Sequence, residues 1–204
     1  MEYISNILLE ISNENLEKTE KLIQETENYG AENKLITNCF DKFPYNKDKD
    51  IVAMKIGLID ITNSTNISRY KSKISVDKLA DIITNINDID SRIKNGDPTV
   101  VNEIAEKAKR CGINLFSFAS KYCCYHNSNL YKKDDYSIYD NVLKDTLPKY
   151  FKDVKVTTIN QWRCNFKYEE YNNYIEKKLD EYCINIKNRK RKFDHFIWYN
   201  NRNQ

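Results

Sequence analysis

The sequence predicts an all-α protein, and two observations carry that expectation. Only four Gly and three Pro interrupt 204 residues, too few turn-formers for a fold of many strands. Apolar side chains recur at three-and-four spacing behind a capping residue, as in SVDKLADIITNI and YEEYNNYIEKKLDEYCINI, the pattern of one buried helix face.

The elements follow in order. ISNENLEKTEKLIQETENYG (11–30) reads as a helix with Ser12 or Asn13 as N-cap, a stripe of Leu16, Leu22 and Ile23, and Gly30 as the residue that ends it. DKFPYNKDKD (41–50) is polar, contains Pro44 and reads as a loop. IVAMKIGLIDI (51–61) is nearly all apolar; periodicity alone fits a buried helix or a strand, and with no strand partner nearby it reads as a helix. TNSTN (62–66) is a turn of small polar residues, and ISRYKSKI follows as a short helix. Ser75 caps the helix carrying Val76, Leu79, Ile82 and Ile83. NGDP (95–98) is a break, after which Asp97 caps and Pro98 opens PTVVNEIAEKAKR. CGIN (111–114) joins that helix to LFSFASKYCCYH. Asp140 opens NVLKDTL, which Pro148 is expected to stop. KVTTINQW (155–162) carries no clear pattern. YEEYNNYIEKKLDEYCINI has Tyr171, Tyr174, Ile175, Leu179, Tyr182 and Cys183 on one face, and RKFDHFIWYNN forms a last helix. About eight helices result.

Composition excludes several classes. Hydrophobic content of 40 % and charged content of 31 % are those of an ordinary globular domain, and a net charge of +3 selects no partner. The basic run KNRKRK (187–192) reads either as a phosphate-binding edge or as a solvated helix end. Six cysteines without a CxxC pair read as free thiols in a reducing compartment. No apolar run reaches membrane-spanning length and no signal peptide is recognised, so a cytoplasmic location is expected. Cys123 and Cys124 are expected half in the core and half at the surface, and His126 as a packed histidine.

Two residues raise a chemical question. Lys121 lies in an aromatic-rich helical stretch and Asp140 opens the next helix. Singly, a helical lysine is a solvated side chain and an aspartate before NVL is an N-cap. As a pair they sit in a distinctive frame: helix, Gly-containing turn, LFSFASK (115–121), then SIYD (137–140).

That frame resembles the helix-hairpin-helix DNA glycosylases, in which a hairpin lysine and a downstream aspartate form the active site. TNSTNISR (62–69) resembles the turn and Ile-x-Arg of the 8-oxoguanine DNA glycosylases, and FDHFIWY (193–199) is similar to the C-terminal helix of their small members. Ser117 and Ala119 stand where the family hairpin usually has glycines, with Gly112 as a partial substitute. Val142 replaces a frequent histidine, and the chain ends NRNQ rather than in lysine. The resemblance implies a two-lobed all-α fold, with residues 62–130 as a central lobe ending in the helix-hairpin-helix and residues 1–61 plus 131–204 as the second. The active site would lie between them. It implies Lys121 and Asp140 as catalytic residues, and Ser64, Thr65, Asn66, Arg69, Gly112, Ser117 and Ala119 as DNA contacts. Asp194, Phe196 and Trp198 would form the base pocket.

The implied activity is excision of an oxidised purine or other modified base, followed by strand nicking. A neutral Lys121, walled by Phe116, Phe118 and Tyr122, would attack C1′ while Asp140 stabilises the developing charge. No metal or cofactor is expected. The partner would be double-stranded DNA containing a damaged base, and the protein a nucleoid-associated monomer. The alternatives are a non-catalytic helix-hairpin-helix DNA-binding protein and an all-α interaction module, such as an anti-phage or phage accessory factor.

Overall fold

The computed structural model describes residues 8–63 and 65–201, and among these the regular structure is entirely helical. The elements are α1 (Asn13–Glu25), α2 (Glu27–Lys42), α3 (Lys49–Asn63), a 3-10 turn (Ile67–Tyr70), α4 (Val76–Thr84), α5 (Ile89–Lys94), α6 (Thr99–Arg110), α7 (Phe116–Tyr131), α8 (Asn141–Tyr150), α9 (Val156–Cys164), α10 (Tyr168–Glu181) and α11 (Arg189–Asn201). The described residues thus hold eleven α-helices rather than about eight. The additional ones are short or lie in segments where the apolar pattern is thin, such as α5 and α9.

Helix α7 is the axis. Every side chain from Phe118 to Asn127 is buried, as suits a helix surrounded on all sides; α2, α3, α5 and α6 pack around it. Cys123 and Cys124 are therefore both core residues rather than half exposed. Helix α11 packs against α1, α8 and α10, which brings the two ends of the described chain together.

Several local expectations are corrected. Gly30 lies inside α2 and does not end a helix; the break comes at Thr26, whose hydroxyl and N–H both donate to the Ile23 carbonyl. The glycine is needed because a Cβ there would lie 2.7 Å from the Gln24 carbonyl oxygen, closer than two such atoms approach. Pro148 does not stop α8 but sits in its last turn, where its missing N–H removes a single bond. In place of a short α-helix over 67–74 there is only a 3-10 turn at Ile67–Tyr70, where Asp60 accepts the Ile67 and Ser68 N–H groups and the Thr65 hydroxyl. Tyr182 and Cys183 do not share the buried face of α10: the helix ends at Glu181 and Cys183 turns left-handed, leaving both exposed.

Four cations of the basic run 187–192 are taken up in ion pairs rather than solvated. Arg189 pairs with Glu176 and Asp180, Lys190 with Glu176, Arg191 with Asp194 and Lys192 with Glu17. These cations tie α11 to α10 and α1.

Candidate active site

The α6–α7 connection positions the lysine. Gly112 adopts φ +88 and completes a Schellman cap, its N–H donating to Lys109 and that of Ile113 to Ala108. Asn114 then accepts the Phe116 N–H and donates to the Arg163 carbonyl, which starts α7. Lys121 follows just over one turn later, only 8 % exposed.

The aspartate is brought to it by an extended segment, 132–140, pinned along its length. Asn172 of α10 bonds the Asp135 carbonyl and the Ser137 N–H, while Tyr168 and Tyr171 donate to the Ser137 and Ile138 carbonyls. Ser120 sets the register: its hydroxyl accepts the Tyr139 N–H at 3.0 Å and donates to Ser117. The residue after Ser120 thus meets the residue after Tyr139. Lys121 Nζ lies 3.9 Å from Asp140 Oδ2 and 3.5 Å from the Asn63 carbonyl at the end of α3. Asp140 also caps α8, its Oδ1 accepting the Leu143 N–H at 2.9 Å. Cap and ion pair are thus two uses of one carboxylate.

Behind this pair runs a polar relay that sequence reading missed. The Asn63 side chain accepts the Tyr125 hydroxyl at 2.6 Å. Arg191 donates to that hydroxyl at 3.0 Å, stacks over the Tyr125 ring at 4.7 Å, and pairs with Asp194 at 2.9 Å. Arg191 also reaches the Tyr29 hydroxyl at 3.3 Å; Tyr29 bonds His195 Nε2 at 2.7 Å, and His195 Nδ1 bonds Glu20 at 2.6 Å. The relay ties α1, α2, α3, α7 and α11 to one point.

Its ionisation is set by burial. Burial and the Arg191 charge push His195 down to about 4, so its ring is neutral at neutral pH. One tautomer then satisfies both bonds, with Nδ1–H donating to Glu20 and Nε2 accepting from Tyr29. Burial works against ionisation of Glu20, but the bond from His195, with Gln24 and Arg191, brings it down to about 2. Burial pushes Asp194 up to about 7 against the pull of Arg191, and Asp140 adds to the rise while Lys121 opposes it. Asp194 thus shares the electrostatic field of the Lys121–Asp140 pair.

The other site candidates divide. Thr65 and Asn66 lie in the turn held by Asp60, Asn66 with φ +59; Ser64 lies outside the described residues. Arg69 and Gly112 are exposed and Ser117 is partly buried. Ala119 is fully buried and its N–H is bonded to Leu115, so it offers no donor to the surface. Trp198 packs on Tyr29 with ring centroids 5.4 Å apart. Phe196 is a core residue against Tyr150 of α8. Phe116 and Phe118 face Tyr139, Tyr168 and Tyr122, so their rings serve the core. No group of His, Cys, Asp and Glu suited to a metal ion occurs among the described residues, nor any helix long and apolar enough to cross a membrane.

His126 is fully packed in a second polar cluster. Lys55, also wholly buried, reaches the Tyr45 carbonyl at 3.0 Å, Asn46 at 3.4 Å and His126 Nε2 at 3.5 Å. Burial holds Lys55 down to about 8 and His126 well below its usual range.

No curated protein and no solved structure matches the chain. A family model described as an N-terminal domain, HI_0787_N, matches residues 15–135, and the chain belongs to that family. The matched segment contains Glu20, Tyr29, Asn63, Lys121 and Tyr125; Asp140, Arg191, Asp194 and His195 lie beyond it.

Proposed function

We propose that this family member is a DNA glycosylase with lyase activity, removing an oxidised purine or another modified base from duplex DNA through Lys121. One observation carries the reading. A largely buried lysine and a carboxylate, contributed by separate elements, meet at 3.9 Å beside the turn that follows α3.

The chemistry assigned to the pair is nucleophilic displacement at C1′ of an extruded nucleotide. The Lys121 amine forms a bond to C1′, and the glycosidic bond breaks with its electrons leaving on the base. Asp140 stabilises positive charge on the sugar and takes a proton from the amine. Asp194, whose carboxyl burial pushes up to about 7 against the pull of Arg191, protonates the departing base. The sugar ring opens to an imine on Lys121, and β-elimination cleaves the strand. The rings of Tyr29 and Trp198, next to Asp194 on the same helix and its neighbour, offer stacking surface to the base.

Borohydride trapping tests this reading. A panel of duplexes carrying different damaged bases is incubated with the full chain and reductant. A covalent protein–DNA adduct is expected with the native chain and none with Lys121→Gln. Asp140→Asn is expected to slow adduct formation while the protein keeps its melting temperature, since Asn also caps. An adduct of normal yield from Lys121→Gln, or none from the native chain on any duplex, ends the proposal; the second outcome is that of a non-catalytic DNA-binding protein.

A further inference from the structure

The usual hairpin glycines are absent, and Ala119 offers no donor, so phosphate must be held by other means if DNA is the partner. Two exposed segments supply cations. ISRYKSK (67–73) carries Arg69, Lys71 and Lys73, and the end of α6 carries Lys109 and Arg110. The segments adjoin: a methyl group placed on Gly112 would lie 3.9 Å from Lys73 Cδ. All five side chains are exposed, and none joins an ion pair among the described residues. The contrast with Arg189–Lys192 is physical: those four cations are matched by carboxylates on α1, α10 and α11, whereas these five are unmatched. Glu106 is the exposed acid nearest to them on α6. Tyr70, exposed at 42 %, interleaves an aromatic ring with the cations. The ridge flanks the turn that leads into α7 and hence Lys121.

We infer that Arg69, Lys71, Lys73, Lys109 and Arg110 form the phosphate-binding ridge of this protein, gripping the backbone of duplex DNA across the 67–73 and α6–α7 junction in place of a glycine hairpin. The inference rests on the nucleic-acid half of the proposed function, not on the lysine chemistry.

Cation–phosphate contacts release counterions, so each contributes about −0.9 to the slope of log affinity against log salt. Five contacts give a slope of about −4.5, an affinity loss on the order of 500-fold between about 50 and 200 mM salt. The test is fluorescence anisotropy of a labelled duplex of about 20 base pairs bearing a central tetrahydrofuran abasic analogue, titrated with the full chain across that range. Lys71→Ala/Lys73→Ala is expected to make the slope shallower by about 1.8, so that its affinity deficit against the native chain shrinks about twelvefold from the low-salt to the high-salt end. Lys177→Ala, an exposed side chain of α10, is the control and leaves the slope unchanged. A double variant with the native slope and an unchanged melting temperature overturns the ridge, as does a native chain whose binding ignores salt. Trapping of Lys121 is read separately. An altered slope without an adduct keeps the ridge and sinks the glycosylase; an adduct with an unaltered slope does the reverse.

Discussion

His195 makes the stability of this protein depend on pH in a way that one substitution isolates. The ring is buried between Glu20 and Tyr29 and titrates at about 4 rather than 6.5. The folded state therefore holds the neutral ring, and the unfolded chain takes up a proton first as the solution is acidified. A depressed value of this kind gives stability that is complete above 6.5 and is lost as pH falls through about 4. Between about pH 7.5 and pH 5 the loss works out to about 2 kcal/mol. Glu20 stays ionised over that window, since it titrates at about 2. His195→Gln keeps a polar side chain but removes the proton. Urea denaturation of both proteins at the two pH values reads the effect. His126, which burial also holds low, contributes equally to both and cancels in the difference. The native protein is expected to be the more stable at pH 7.5, with its advantage shrinking by about 2 kcal/mol at pH 5. Parallel curves, with the advantage unchanged on acidification, would refute the assigned neutral ring and with it the direction of the Tyr29–His195 bond.

The remaining predictions concern burial and backbone. Lys55 carries its charge inside the core at a cost, because its folded value of about 8 lies below the usual 10.5; the lost stability returns only as pH rises from 8 toward 10.5. Lys55→Met is therefore expected to raise stability at pH 7 by about 1–3 kcal/mol, with a smaller gain at pH 9, read by chemical denaturation; a net loss at both pH values would contradict it. Two glycines should fail for different reasons. Gly30→Ala places a methyl 2.7 Å from the Gln24 carbonyl and should lower stability by about 2–3 kcal/mol through overpacking. Gly112→Ala meets nothing nearer than 3.9 Å and should cost about 1–2 kcal/mol through its positive φ alone. Equal losses at the two positions in thermal melts would refute the distinction.

What was legible in the sequence was local. Ser12, Ser75 and Asp140 were visible as caps, and each side chain accepts the N–H three residues on, because capping is decided within one turn. The interval from Lys121 to Asp140 was visible as a spacing. What fixes its length is the Ser120–Tyr139 bond, which no pattern announces. The misread features depend on distant partners. Gly30 looked like a terminator because a glycine's reason is the backbone opposite it, here Gln24. The run at 189–192 looked like a free basic surface because Glu17, Glu176 and Asp180 lie on other helices. A basic composition is the same whether or not carboxylates meet it, so only the fold separates an internal clamp from an open ridge.

That separation bears on how the site is assembled. The segment matched by the family supplies the lysine, the Asn63 carbonyl beside it and the Tyr125 hydroxyl that holds Asn63. The residues beyond it supply the carboxylate paired with Lys121, Asp140, on an arm fastened by Tyr168, Tyr171 and Asn172, and Asp194 on a helix fastened by Arg189, Lys190 and Lys192. A buried amine with only a carbonyl for company has no group to take its proton or to balance charge on a substrate. The chemistry proposed for Lys121 is thus a joint property of the two parts of the chain. The basic run at 189–192, which the sequence left open as a phosphate-binding edge or a solvated helix end, holds the second part in place through its carboxylate partners.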